Sequence, residues 1–390
     1  MALPATDVKL LSNAVQRLAE RALFTYVPGG SRRNVALILR FGTEEQQRTV
    51  RQLLAGHRPE HTAVQCISRL QLATDATLAP SLKLLFVKRA DLRNDRWSGS
   101  VTFPGGWREK ADADDLAALC SRVNEMLGIP LESPEFLLLG RLRDYFIRSR
   151  MRCSAGSVQS RFVFLHIGEL TPTLHCAPHM VERVQWVPLS TFSSANITWT
   201  SVSHPFEGFV YPKSADEKQL LSNVFPRANF IFPSLQLQEQ WHVWGLALRS
   251  TNELMSLNNA PPIDWPLVSS DHPLLQYFVI DPSHGYFELY YVYLRVVAWW
   301  SRGKSPTVSC GTKAAQLCER HRAIPPDANP LLWAVPDRVK PRHLFFLFID
   351  LVIGVLLVYF VASVVEAVRK LIRLVMDTRT AAHQKKKKPD

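Results

Sequence analysis

The chain lacks any Cys-x-x-Cys pair. Its six cysteines, Cys66, Cys120, Cys153, Cys176, Cys310 and Cys318, are scattered, and no histidine cluster completes a zinc site. They read as reduced thiols of a protein facing cytosol or matrix, with Cys120 a core-packing residue. No secretory signal opens the chain, because Asp7 and Glu20 interrupt any continuous apolar core. Internal repeats are absent, and the one low-complexity piece is the lysine run Lys385–Lys388, a solvated tail. No zinc-finger or RNA-binding signature accompanies the formal charge of +12, so nucleic acid is not an expected partner. The tail after Val365 sets eight Lys/Arg against three acids and supplies +5, leaving +7 on the body. That excess suits phosphate ligands or an anionic membrane.

What is present is globular. A hydrophobic content of 47% supports a sizeable core and excludes wholesale disorder. The 390 residues allow two to three domains at about 150 residues each. Near the N-terminus, Leu10, Leu11, Ala14, Val15, Leu18, Ala22 and Leu23 recur at helical spacing and predict a packing helix. Lys9, Arg17 and Arg21 keep a mitochondrial presequence as the alternative. A strand is expected over residues 35–41, then a polar segment, 42–80, in which Thr43, Glu44 and Glu45 start a capped helix. Residues 84–87 read as a buried strand.

The most informative stretch is WSGSVTFPGGWREKADADDLAALCSRVNEMLG, residues 97–128. A helix is expected over residues 113–127, with Asp112 as its N-cap and Leu116, Leu119, Val123 and Leu127 as its apolar stripe. The glycine-loop-helix-glycine order resembles a Nudix box. The flanking run LLFVKRADLRNDRWSGSVTFPGG (84–106) is similar to the coenzyme A pyrophosphatase-like subgroup of that superfamily. RRNVALILRF, FLLLGRLRDY, SRFVFLHIG, VQWVPLSTF and VWGLALR look like further landmarks, so the likeness runs from about Arg32 to Met255.

The resemblance implies an α/β (α+β Nudix) fold with a mixed sheet sandwiched between helices, and segment 42–80 as an insertion. It implies hydrolysis of a diphosphate bond with Mg²⁺ or Mn²⁺, held by carboxylates at i, i+3 and i+4 on one helix face. Aligned on Gly128-Ile129, only Glu125 of those acids survives. Arg122 and Met126 replace the other two, Ser121 replaces the arginine, Ala113 replaces the spacer glutamate, and Met180 replaces a downstream carboxylate, with Glu182 nearby. An arginine for a glutamate changes local charge by two units. The expectation is a degenerate site that takes a nucleotide diphosphate or coenzyme A-like ligand with weak or no hydrolysis; an active diphosphatase and a structural subunit with a protein partner are the alternatives.

Each candidate residue carries two readings. Glu125 is either the residual catalytic metal ligand or a surface acid paired to Arg122. Glu109, Asp112, Asp114 and Asp115 either rebuild a metal site, with Glu109 foremost, or complement the helix N-terminus. Lys88, Arg89, Arg93 and Arg122 are candidate diphosphate contacts. Gly105 and Gly106 permit close backbone approach to phosphate.

FFLFIDLVIGVLLVYFVASVV, residues 345–365, holds one charge, Asp350, in 21 residues. As a helix it spans about 31 Å, a bilayer core. A buried helix of a soluble domain is the alternative. With 25 residues after Val365 it resembles a tail anchor; its basic tail points to the mitochondrial outer membrane or peroxisome, although the positive-inside rule points the other way. The expected division is an N-terminal helical segment (1–31), the Nudix domain (32–258), an aromatic-rich extension and linker (259–342), the transmembrane helix (343–367) and a basic tail (368–390). The aromatics of 286–300 suit either a membrane interface or packing on the domain.

Overall fold

The computed structural model describes residues 2–21, 31–55, 62–91, 97–147, 157–193, 198–206, 215–237, 241–258, 268–281, 345, 348–366 and 368–369. In chain order the first part holds β1 (Leu3–Pro4), α1 (Ala5–Arg21), β2 (Arg32–Arg40), α2 (Glu44–Leu53), α3 (Ala63–Leu70), β3 (Thr74–Asp75) and β4 (Lys83–Arg89). The box region holds β5 (Val101–Thr102), β6 (Gly105–Trp107) and α4 (Asp115–Leu127). After it come β7 (Phe136–Ile147), β8 (Ser157–His166), β9 (Val181–Pro188), β10 (Trp199–Pro205), α5 (Ala215–Val224), β11 (Asn229–Gln236), β12 (His242–Trp244), α6 (Gly245–Ser256) and β13 (Ser269–Ser270).

Seven strands form one mixed sheet, with β7, β8, β2 and β4 side by side. β2 and β8 run parallel; the other pairs are antiparallel. The sequence reason is a run of β-branched and aliphatic residues apolar at every position, which suits strands covered on both faces. Alternate side chains separate accordingly. Val35, Leu37, Leu39, Leu84, Phe86, Val163 and Leu165 join α1, α3 and α6 in one core. Ala36, Ile38, Leu85, Val87, Phe162 and Phe164 join α4 in the other. This is a mixed sheet sandwiched between helices, as expected.

The stripe Leu11, Ala14, Val15 and Leu18 buries α1 against the sheet. Thr43 begins α2 with a complete capping box through Gln46. The 42–80 segment contains α2 and α3. A smaller sheet, β10–β11–β12 with β13 on β11, lies beyond the main one. Leu235 and Val243 on its inner face enter the larger core.

Two boundaries differ from expectation. The strand expected over 35–41 is β2, Arg32–Arg40, with Phe41 buried just past its end. The box helix starts at Asp115, and its N-cap is Asp114, whose Oδ1 accepts from Ala117 N at 2.8 Å. Asp112 caps the preceding turn instead, accepting from Glu109 N at 2.6 Å. Both aspartates suit capping; the loop geometry two residues upstream of the helix decides between them.

The chain divides into two units, 1–272 with 291–338, and 273–290 with 339–390. In the second, the helix Phe348–Glu366 has a mean hydropathy of 2.6 and no buried residue. It is the one helix among the described residues long and apolar enough to cross a membrane. Arg93, most of the 259–342 extension, including the 286–300 aromatics, and nearly all of the basic tail lie outside the described residues.

Candidate functional site

The box loop is built on β6, which lies against β2 with Asn34 opposite Gly106 and Val35 opposite Gly105. Gly105 has φ +142°, and a Cβ there would stand 2.1 Å from Asn34 O. A Cβ on Gly106 would meet the Arg122 stem at 3.2 Å. The two glycines thus serve close packing of the loop between sheet and helix. Gly128 ends α4 in the left-handed region, φ +69°, as a C-cap requires.

Arg122 projects from α4 over this loop. Its Nη1 donates to Glu125 Oε2 at 2.5 Å, and its Nη2 lies 3.0 Å from Glu109 Oε1. Counting turns along the chain separates Glu109 from Glu125. The loop instead folds back along the helix, so one guanidinium bridges both candidate metal ligands. Arg122 is 22% exposed, and the two glutamates are more open. Met126 turns inward and packs in the core under α4.

The other loop acids are also engaged. Asp115 is buried beside Arg108 (3.1 Å), Arg141 (3.2 Å) and Arg32 (3.5 Å). Asp144 is fully buried and takes Arg141 at 2.7 Å and Arg32 at 2.9 Å. Ser160 Oγ accepts from both Arg32 and Arg141. This network ties the start of α4 to β2 and β7. It was missed in the sequence: Arg141, Arg143 and Asp144 interrupt the apolar run of β7 and Arg32 opens β2, but nothing in either run says which charges meet.

A second buried group lies on the opposite sheet face. Arg161, fully buried, donates to Glu253 Oε2 at 2.6 Å and to Arg143 O, and Tyr145 Oη donates to the same carboxylate at 2.8 Å. The Arg161 guanidinium sits 3.6 Å from the Tyr145 ring centre. Burial alone would raise the Glu253 pKa, but Arg161 and Arg143 outweigh it and hold the carboxyl down to about 2.

Lys88 and Arg89 stand at the end of β4. Lys88 Nζ is 2.7 Å from Glu182, and Arg89 Nη1 donates to Trp97 O at 3.5 Å. Met180 is partly buried against the α4 core. Among the described residues, no three or more His, Cys, Asp or Glu gather where an ion would sit. Mg²⁺ and Mn²⁺ need several oxygen ligands. The donor set here does not fit them, because a cation already bridges Glu109 and Glu125 and the aspartates are tied up in caps and buried pairs.

No family model matches the chain. Over 107 residues, 27% of this chain, it is 31% identical to an uncharacterized protein of Schizosaccharomyces pombe; the chain spans 32% of that relative's length. Solved structures similar to it include an Ap4A hydrolase of C. elegans (10% identity, 41% of this chain and 82% of that one, TM-score 0.26). A MutT protein of Methanosarcina mazei Go1 is 13% identical over 42% of this chain and 79% of its own, at TM-score 0.23. A MutT NUDIX hydrolase of Burkholderia pseudomallei is 16% identical over 40% and 84%, at 0.21.

Proposed function

We propose that this chain is a Nudix-type domain, residues 32–258 with an insertion at 42–80, that binds a nucleoside-diphosphate or coenzyme A-like ligand with little or no metal-dependent hydrolysis. Its C-terminal helix holds it at a membrane, with the mitochondrial outer or peroxisomal membrane as the expected address. The observation that carries the catalytic half is the Arg122 bridge. A guanidinium 2.5 and 3.0 Å from Glu125 and Glu109 supplies the positive charge that a divalent ion would supply, and repels such an ion. Losing a metal-shell ligand costs several kcal/mol of transition-state stabilisation, which is orders of magnitude in rate. The box motif, its packed glycines and the cations Lys88, Arg89 and Arg122 support the ligand half. The apolar, wholly uncovered helix Phe348–Glu366 supports the anchor.

The full chain in detergent, incubated with Mn²⁺ or Mg²⁺ and a panel of nucleoside and coenzyme A diphosphates, tests this. The wild type is expected to bind pyrophosphate and ADP without turnover and without a Mn²⁺-dependent rise in melting temperature. Arg122→Glu is expected to gain that rise, since it frees Glu109 and Glu125 beside a third carboxylate. Wild-type turnover abolished by Glu125→Gln would overturn the proposal. Absence of all diphosphate binding, with a stable partner on native purification, would favour a structural subunit instead.

A further inference from the structure

The smaller sheet ends in β10, which pairs with β11 on one side and with no described strand on the other. In an antiparallel pair, bonded and non-bonded positions alternate along each strand. Gln236 N donates to Thr198 O at 3.2 Å, and Phe206 N donates to Ala228 O at 2.9 Å. Both continue the β10–β11 register by one residue, so the even-numbered residues 198 to 206 are the ones that bond to β11. Pro233, which has no N–H, sits opposite Ser201, where this ladder asks for none. The N–H and C=O groups of Trp199, Ser201 and Ser203 therefore point away from the sheet. Pro205, without an N–H, ends that row. The same three residues carry exposed side chains, with Trp199 40% exposed.

Three features choose the occupant. Residues 198–203 carry no charged side chain, the device that ordinarily keeps an edge strand from pairing with its own copy. Antiparallel pairing about Ser201 is twofold symmetric, setting Ser201 opposite the second copy's Ser201 and Trp199 opposite its Ser203. Three pairs of two bonds each then use all three outward N–H groups. Side-chain size also matches. The Trp199 indole lies over the facing Ser203 and the diagonal Ser201 of the second copy, two small residues that leave room for it.

We propose that the outer edge of β10 is a self-association surface, through which two copies of this chain join their smaller sheets into one continuous sheet. It is independent of the diphosphate reading. The row is three residues long, whereas a stable interface of standard size buries about 1,600 Å². Association through it is therefore weak and rises with concentration.

The test is sedimentation of the full chain in detergent over a concentration series, with amide exchange read along β10. The wild type is expected to pass from monomer to dimer, and the amides of Trp199, Ser201 and Ser203 to gain protection in step. Ser201→Pro deletes the central outward N–H and none that β11 uses, so the melting temperature should hold while the dimer is lost. Ser203→Lys, at an exposed position, should lose it too by placing a charge on the edge. Ser201→Cys is expected to give a disulfide-linked dimer above the wild-type background, because facing Cα atoms of a bonded pair lie about 5.5 Å apart. Ser203→Cys, offset along the strand from its own copy, is not. A wild type that stays monomeric overturns the proposal. So does a dimer that survives both Ser201→Pro and Ser203→Lys, which moves self-association to another part of the chain. Protection of the three amides in the monomer assigns the edge to another segment of the same chain and overturns it as well.

Discussion

Glu253→Gln is expected to destabilise the domain by about 3–5 kcal/mol at pH 7. The carboxylate sits on α6 and takes Arg161 at 2.6 Å and the Tyr145 hydroxyl at 2.8 Å, with Arg143 at 3.5 Å. A carboxyl that titrates at about 2 in the fold and at 4.5 when free stabilises the fold by about 3 kcal/mol. Removing it also strands Arg161, which is fully buried, and an uncompensated buried charge costs about 3–5 kcal/mol. The two figures describe one interaction from its two sides and are not summed. Because the folded pKa is depressed, the contribution is complete above pH 4.5 and disappears as pH falls toward 2. Urea unfolding of the full chain in detergent, followed by tryptophan fluorescence at pH 7, 4 and 3, reads both magnitude and slope. A loss under about 1 kcal/mol at pH 7, or a gap between variant and wild type that fails to narrow with acid, would refute the reasoning.

His166 is buried, with Gln47 Nε2 3.0 Å from its Nδ1, and burial followed by the charge of Arg40 lowers its pKa to about 4. Its folded pKa lies below the free value of 6.5, so stability is complete above pH 6.5 and falls by about 3 kcal/mol on the way to pH 4. The same unfolding series on His166→Gln should show that slope removed; an unchanged slope would rule the histidine out as its source. Gly105→Ala should cost about 3 kcal/mol, from a left-side φ and a Cβ driven into the β2 backbone. Hydrogen exchange at β6 amides should rise in parallel, and retained protection would count against the packing role assigned to Gly105.

The legible parts of the fold were those set by local periodicity. The β2 and β4 runs announce strands, and Leu119, Val123 and Leu127 announce a helix with one buried stripe. Thr43 announces a capped helix start, and the structure completes it as a capping box with Gln46. The resemblance to the box was legible as a pattern, and so were Arg122 and Met126 at two of its acid positions. Of the two readings of Glu125, the pair to Arg122 has a counterpart in the structure at 2.5 Å. Capping shifted from Asp112 to Asp114, since either residue type suits the role and only loop geometry separates them.

The buried networks were not legible. Arg32, Asp115 and the Arg141–Asp144 pair come from three separate segments, β2, α4 and β7, and nothing local says that they meet. The same holds for Arg161 and Glu253, 92 residues apart. An aromatic face of the smaller sheet is of this kind too: pairing register sets His204, Phe232 and Trp244 on one side of a sheet, and the loop before β5 brings Trp97 to Trp244.

Composition and short-range spacing determined by themselves the strands near 35–41 and 84–87, the helix that ends at Leu127, and that the C-terminal helix is too apolar to be cheaply exposed to water, because each depends on neighbours within a few residues. Tertiary structure alone decided that Glu109 folds back to share Arg122 with Glu125. Coulomb attraction and desolvation depend on distance in space, and that distance is set by the loop's packing on β2 and α4, not by the count of residues between the charges.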